Sequence, residues 1–120
     1  MVIARILPAE NDEGRCSFLA CALKRAGHEV IAVHGGLAGQ AAFDDASFEL
    51  LIADIVMPGM DGIELSRCAN ALNADLKVMF VTGFATVAMS ARDEFVNTKV
   101  LSELYHLREL VDNVDRIFAA

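Results

Sequence analysis

Short apolar runs alternate with helical apolar patterns along the whole chain, and this alternation constrains the fold more than any other feature. The predicted strands are Ala4–Leu7, Glu29–Val33, Leu50–Ala53, Lys77–Val81 and Val100–Leu101. Strands that alternate with helices favour parallel βαβ units with right-handed crossovers. The chain of 120 residues is therefore predicted to be one doubly wound α/β domain over residues 1–120, with five parallel strands between two helical layers.

Local signals indicate where the helices between these strands begin and end. Gly27 follows the first helical pattern, at the place where a left-handed residue commonly ends a helix. Asp61 and Glu64 have the spacing of a capping box, which predicts the start of the third helix. Val87–Ala91 gives only a weak helical pattern, whereas Leu107–Phe118 carries a regular apolar stripe.

The most apolar strand ends at a carboxylate. Leu50–Ala53 has no polar alternation, which is typical of a central parallel strand covered on both faces, and Asp54 follows it directly. An ionised carboxylate at the end of such a strand costs free energy unless something compensates for it. We therefore interpret Asp54 as a functional residue.

Other polar residues follow the neighbouring strands. They are Glu10, Asn11, Thr82 and Glu103. In an open parallel sheet, ligands bind beyond the carboxyl ends of the strands, and oxygen ligands of this kind suit Mg²⁺. The alternatives are that Glu10 is a solvated or helix-capping acid and that Thr82 caps the next helix.

Composition and charge exclude several classes of function. A net charge of -7 with scattered Lys and Arg disfavours nucleic-acid binding. Three cysteines without CxxC spacing predict neither disulfides nor zinc, and His28, His34 and His106 lack ligand spacing and are expected at the surface. No apolar run reaches the roughly 18 residues of a membrane span, and no signal peptide is visible, so a cytoplasmic protein without membrane contact is expected.

The string Asp54-Ile55-Val56-Met57-Pro58-Gly59-Met60-Asp61-Gly62 resembles the phosphoacceptor segment of two-component response-regulator receiver domains. The resemblance extends over essentially the whole chain and implies a flavodoxin-like (βα)5 fold with strand order 2-1-3-4-5. It implies that Asp54 takes a phosphoryl group from a histidine kinase, a phosphotransfer protein or a small acyl phosphate. By the same resemblance, Mg²⁺ would be held by Glu10, Asn11, Asp54 and the Val56 backbone carbonyl, and Thr82 beside Gly83 would bind the phosphoryl group.

Two positions depart from the receiver pattern. Asn11 stands where receivers carry a second acid, so one anionic metal ligand has become a neutral amide and magnesium affinity should fall. Glu103 stands where they carry a lysine. Two like charges about 4 Å apart repel by roughly 4 kcal/mol at an effective dielectric constant near 20, which would weaken a phosphoaspartate. The departures predict a receiver whose phosphorylation is impaired or absent.

Within the family, Met79–Ala85, Val100–Ser102 and His106–Val111 are similar to the CpdR type of single-domain receiver, which has no effector domain. That resemblance implies a binding module rather than an enzyme, with the ClpXP protease as partner and the unphosphorylated form active.

Three other functions are open to a protein with this predicted fold. The first is a receiver that accepts phosphate and loses it slowly. The second is a small metal-dependent phosphohydrolase, although Val56 stands where such enzymes need a second acid. The third is flavin binding, which the acidic segment Glu10–Glu13 disfavours.

Overall fold

The computed structural model describes residues 3–82, 99–102 and 107–118. In chain order its elements are β1 (Arg5–Ala9), α1 (Glu13–Arg25), β2 (Glu29–Val30), α2 (Gly36–Asp45), β3 (Leu50–Asp54), α3 (Gly62–Leu72), β4 (Lys77–Thr82), β5 (Lys99–Ser102) and α4 (Leu107–Phe118). The five predicted strands are confirmed. The weak helical pattern at Val87–Ala91 lies outside the described residues, and no helix within them is long and apolar enough to cross a bilayer.

All five strands are parallel and follow the order β2-β1-β3-β4-β5. The order confirms the flavodoxin-like topology and puts β3 at the centre of the sheet. In register, Ala9 of β1 lies opposite Ala53 of β3, and Asp54 lies opposite Val81 of β4. The carboxyl ends of β1, β3 and β4 therefore meet at one edge of the sheet.

The sheet separates two apolar cores, because successive side chains of a strand point to opposite faces. Leu51 and Ala53 belong to the core that packs against α2 and α3. Leu50 and Ile52 belong to the opposite core, which packs against α1 and α4. All four side chains are fully buried, which confirms the prediction of a central strand covered on both faces.

Two predicted strand boundaries were wrong, and one proline explains both. β1 continues through Pro8 to Ala9, whereas β2 ends at Val30. Beyond Val30, Ile31 N donates a hydrogen bond to Ile6 O at 3.1 Å, and an isolated bridge joins Ala9 and Val33. The Pro8 carbonyl accepts a hydrogen bond from Val33 N at 3.0 Å, so this residue faces β2. Pro8 has no N–H to donate on that side, and the regular ladder to β2 ends there while pairing with β3 continues.

Aspartate N-caps stabilise the first turns of α1 and α3. The Asp12 carboxylate accepts a hydrogen bond from Arg15 N at 2.8 Å, and the Asp61 carboxylate accepts one from Glu64 N at 2.8 Å. The second bond confirms Asp61 as the N-cap predicted from the sequence. At the other end of α1, Gly27 has φ 97°, as predicted for a left-handed residue after the helix.

Candidate functional site

Adjacent strands bring two buried carboxylates to the same edge of the sheet. Glu10 follows β1 directly and is 1% exposed, and Asp54 ends β3 and is 4% exposed. Because these strands are hydrogen-bonded neighbours, Glu10 and Asp54 line one acidic cleft. The alternative interpretation of Glu10 as a solvated acid is wrong.

Backbone contacts fix the Asp54 carboxylate from the loop that follows β3. Val56 N donates a hydrogen bond to Asp54 Oδ1 at 3.0 Å. Ile55 N donates to Val81 O at 3.0 Å, so the chain remains tied to β4 just beyond Asp54. One Asp54 oxygen is thereby held toward the loop backbone.

A cation that the sequence analysis missed lies across the mouth of the cleft. Arg15 Nη2 is 3.2 Å from Glu10 Oε1 and 3.8 Å from Asp54 Oδ2. Arg15 is in the first turn of α1, and helical side chains lean toward the N-terminus of their helix. The Asp12 N-cap signal, with an arginine three residues later, could have located this side chain.

The two Glu10 oxygens have different surroundings. Oε1 accepts a hydrogen bond from Asp12 N at 3.1 Å in addition to its contact with Arg15. Oε2 is buried and has no hydrogen-bond partner within the described part of the chain. A buried carboxylate oxygen without a partner is costly, and it marks a place where a cation or an ordered water would fit.

The donor set fits a hard divalent cation only in part. Two buried carboxylates are present, and Mg²⁺ often takes one or two carboxylates from a protein and completes its shell with water and phosphate oxygens. Among the residues that the structure describes, no cluster of three or more acidic, histidine or cysteine side chains could hold a metal. Glu10 and Asp54 could therefore hold Mg²⁺. Its other ligands would then be mostly water, phosphate oxygens or neutral protein oxygens.

The remaining predicted site residues are placed as follows. Asn11 is exposed in the loop between β1 and α1, and Val56 is exposed just beyond Asp54. Thr82 ends β4, where its backbone pairs with Ser102 of β5. Gly83 and Glu103 lie outside the described residues. The structure thus brings Glu10 and Asp54 together, while the predicted roles of the other residues stay predictions.

Cys16 follows Arg15 on α1. Its side chain is buried, and Sγ is 3.7 Å from Val33 O. Burial raises the pKa of the Cys16 thiol, and the nearby Glu10 and Glu13 carboxylates raise the pKa further. A thiol in this setting stays protonated and is a poor nucleophile at neutral pH.

The parallel order and the acidic cleft define a doubly wound α/β protein of flavodoxin-like topology, with its candidate site at the carboxyl ends of β1 and β3. The chain belongs to the response regulator receiver domain family, whose model matches residues 6–101. Receiver domains of this family bind Mg²⁺ at the phosphorylation site and interact with histidine kinases or phosphotransfer proteins.

Related sequences include both short and long proteins. The chain is 44% identical over 117 residues to the response regulator receiver protein CpdR of Brucella abortus, covering 97% of this chain and 98% of that protein. It is 29% identical over 110 residues to the sensor protein GacS of Pseudomonas syringae, covering 82% of this chain but only 12% of GacS.

Solved structures share the fold at lower sequence identity. Chemotaxis protein CheY4 of Vibrio cholerae matches with a TM-score of 0.85 and 18% identity, covering 98% of this chain and 100% of that one. Response regulator TrrA of Thermotoga maritima, solved with Mg²⁺ and BeF, matches with a TM-score of 0.86 and 22% identity, covering 97% and 100%. These likenesses support the receiver fold.

Proposed function

We propose that this chain is a stand-alone receiver that acts through protein contacts in CpdR-like regulation of ClpXP proteolysis, with Asp54 as a phosphoacceptor whose phosphorylation is impaired. The observation that carries the proposal is the 44% identity to Brucella abortus CpdR over 97% of this chain and 98% of that protein. A match over nearly the full length of both sequences favours a shared role more than a match to one domain of a longer protein does. The proposed partner implies a cytoplasmic location.

The proposed role of Asp54 rests on its position. It ends the central strand, it is 4% exposed, and Val56 N holds its Oδ1 at 3.0 Å, which leaves Oδ2 directed toward the acidic cleft. Phosphoryl transfer depends chiefly on positioning and on charge neutralisation. When bound, Mg²⁺ would neutralise the transferring oxygens, and we propose Glu10, Asn11, Asp54 and the Val56 carbonyl as its ligands.

Charge explains why phosphorylation would be impaired. Asn11 is a neutral amide where the family pattern has an acid, which lowers the negative charge available to a divalent cation. Glu103, in place of the family lysine, would repel a phosphoryl group instead of pairing with it. With both changes, the unphosphorylated form would be the working state of the protein, and the chain would be a binding module rather than an enzyme.

A binding assay with the unfoldase component of ClpXP tests the proposal. The wild-type chain and the Asp54→Asn variant should be retained equally on immobilised unfoldase, without Mg²⁺ or a phosphodonor. Brucella abortus CpdR provides the positive control. Retention of CpdR but not of the wild-type chain would refute the proposed partner.

A second candidate is a receiver that accepts phosphate slowly, because Glu10 and Asp54 keep a paired, buried arrangement. Beryllofluoride with Mg²⁺ separates the two functions, and fluorine NMR with Asp54→Ala as control would detect an adduct. We expect no stoichiometric adduct with the wild-type chain. A saturated adduct that is absent from Asp54→Ala would establish the second candidate instead. Histidine kinases or phosphotransfer proteins would then be the phosphodonors.

A further inference from the structure

The acidic cleft already contains a positive charge supplied by the chain itself. Arg15 Nη2 contacts Glu10 Oε1 at 3.2 Å and approaches Asp54 Oδ2 at 3.8 Å. Glu10 is 1% exposed and Asp54 is 4% exposed, so the two carboxylates repel each other in a poorly solvated place. Such a pair requires a nearby cation, and the Arg15 guanidinium meets that requirement.

Local structure directs this arginine to the cleft. The Asp12 carboxylate caps α1 by accepting from Arg15 N at 2.8 Å, which fixes Arg15 in the first turn. From there, a long side chain that leans toward the helix N-terminus reaches back over the loop that carries Glu10. A guanidinium offers several donors in a fixed plane and remains charged at any physiological pH, so one group can contact two carboxylates at once.

We propose that Arg15 is an internal counterion that takes the place of a divalent cation in this cleft and competes with Mg²⁺ for Glu10 and Asp54. The proposal rests on the proposed function, in which these carboxylates form the cation site, and it identifies a residue that regulates that site. The atoms that Arg15 contacts, Glu10 Oε1 and Asp54 Oδ2, are carboxylate oxygens that a divalent cation would share.

Arg15 can leave the cleft as well as occupy it. Its side chain is 46% exposed, whereas the Glu10 side chain is 1% exposed, so the carboxylates are fixed and the cation is at the solvent side. Mg²⁺ and the guanidinium carry like charges and repel each other at short range. Mg²⁺ binding would therefore require Arg15 to swing outward, and this rearrangement lowers the apparent affinity for the metal.

Direct magnesium titration tests the proposal. Isothermal titration calorimetry with MgCl₂ at fixed ionic strength would compare the wild-type chain with Arg15→Met, Arg15→Lys and Arg25→Met. Arg25 is exposed in the last turn of α1, so Arg25→Met makes the same change in net charge away from the cleft. We expect Arg15→Met to bind Mg²⁺ at least about tenfold more tightly than the wild type, and Arg25→Met to bind within about twofold of it.

Thermal unfolding with and without MgCl₂ provides a second measurement, which does not depend on the heat of magnesium binding. Without metal, Arg15→Met should melt at a lower temperature than the wild type, and added MgCl₂ should raise its melting temperature more than that of the wild type. Arg15→Lys, which keeps the charge, should behave more like the wild type than Arg15→Met does.

Equal magnesium affinity of Arg15→Met and the wild type, or no binding by either, would overturn the role of Arg15. That failure is distinguishable from a failure of the proposed function, because retention on the ClpXP unfoldase is measured without Mg²⁺.

Discussion

Gly62 packs against the backbone of Asp54, so that a Cβ on Gly62 would overlap the Asp54 carbonyl oxygen and lie 2.9 Å from its carbonyl carbon. Gly62 N also donates a hydrogen bond to Ile55 O at 3.1 Å. The N-terminus of α3 therefore packs directly against the carboxyl end of β3. This close approach requires a residue without a side chain, and it fixes the loop that holds Asp54.

We expect Gly62→Ala to lower the free energy of unfolding by about 1–3 kcal/mol, because the added methyl group meets backbone atoms that cannot move aside cheaply. Urea denaturation followed by far-UV circular dichroism would measure the change. Gly14→Ala makes the same substitution at an exposed position in the first turn of α1, where the nearest atom to the new Cβ is an Asp12 carboxylate oxygen at 3.3 Å. That variant should be neutral or slightly stabilised, since alanine favours helix.

If Gly62→Ala has the same free energy of unfolding as the wild type, the loop after β3 can shift without losing stability. The Asp54 carboxylate would then not be held rigidly by its backbone.

His28 was expected at the surface, but it is 6% exposed, and this expectation was wrong. Its Nδ1 accepts a hydrogen bond from Ala4 N at 3.1 Å, just before β1 begins. Spacing along the sequence could not reveal the contact, because the two residues are 24 positions apart and meet only when β1 and β2 pair. His34, by contrast, is exposed as expected, and His106 lies outside the described residues.

We predict that His28→Leu lowers the free energy of unfolding by about 1–3 kcal/mol, because the buried Ala4 N–H loses its acceptor. His34→Leu is the matched control and should change the stability by less than about 0.5 kcal/mol. Thermal and urea unfolding of both variants at neutral pH would measure the difference. Similar stabilities for the two variants would contradict a structural role for the Ala4 to His28 bond.

The raised pKa of Cys16 has a consequence for stability at alkaline pH. A group whose pKa is higher in the folded state contributes stability that is fully present below its unfolded pKa, close to the ordinary value of 9.0, and lost as pH rises through the folded pKa. We therefore expect the free energy of unfolding to fall above about pH 9, and to fall less steeply in Cys16→Ala.

Urea denaturation at pH 8 and pH 10, under reducing conditions, would measure how steeply the free energy of unfolding falls with pH in each variant. Cys21 is exposed on the same helix, so Cys21→Ala should keep the wild-type dependence on pH. Identical slopes for the wild type and Cys16→Ala would show that Cys16 does not ionise differently in the folded state.

Local patterns predicted the fold well because each strand and helix carries its own periodicity. The unbroken apolar run Leu50–Ala53 predicts a central strand, and the observed strand β3 extends one residue further to Asp54, with all five of its residues buried. Pro8 was misjudged because its effect depends on which neighbour it faces. It continues β1 against β3 and removes a donor only on the side of β2.

The candidate site was only partly predictable for a related reason. Strand ends identified Glu10 and Asp54, since the carboxyl ends of adjacent parallel strands must meet. The ends of the strands do not reveal Arg15, because it lies on α1. Its guanidinium reaches Glu10 and Asp54 only because the side chain leans toward the N-terminus of that helix. Glu10 is 1% exposed and contacts Arg15 of α1, and no short motif encodes either property.

Asn11 offers the most direct test of how the negative charge of the cleft determines its affinity for Mg²⁺. It follows Glu10 and is exposed in the loop before α1, so an acid there would meet little steric resistance. We expect Asn11→Asp to increase Mg²⁺ affinity by about tenfold, equivalent to about 1.4 kcal/mol, because a second anionic ligand would join the loop after β1.

Magnesium titration by calorimetry would check this prediction, with Asn70→Asp in the last turn of α3 as a control of equal charge. The double variant with Arg15→Met should bind more tightly than either single variant, since one change adds a ligand and the other removes a competing cation. If Asn11→Asp binds Mg²⁺ no better than Asn70→Asp, the loop side chain does not reach the cation, and the loss of an acid at position 11 cannot explain impaired phosphorylation.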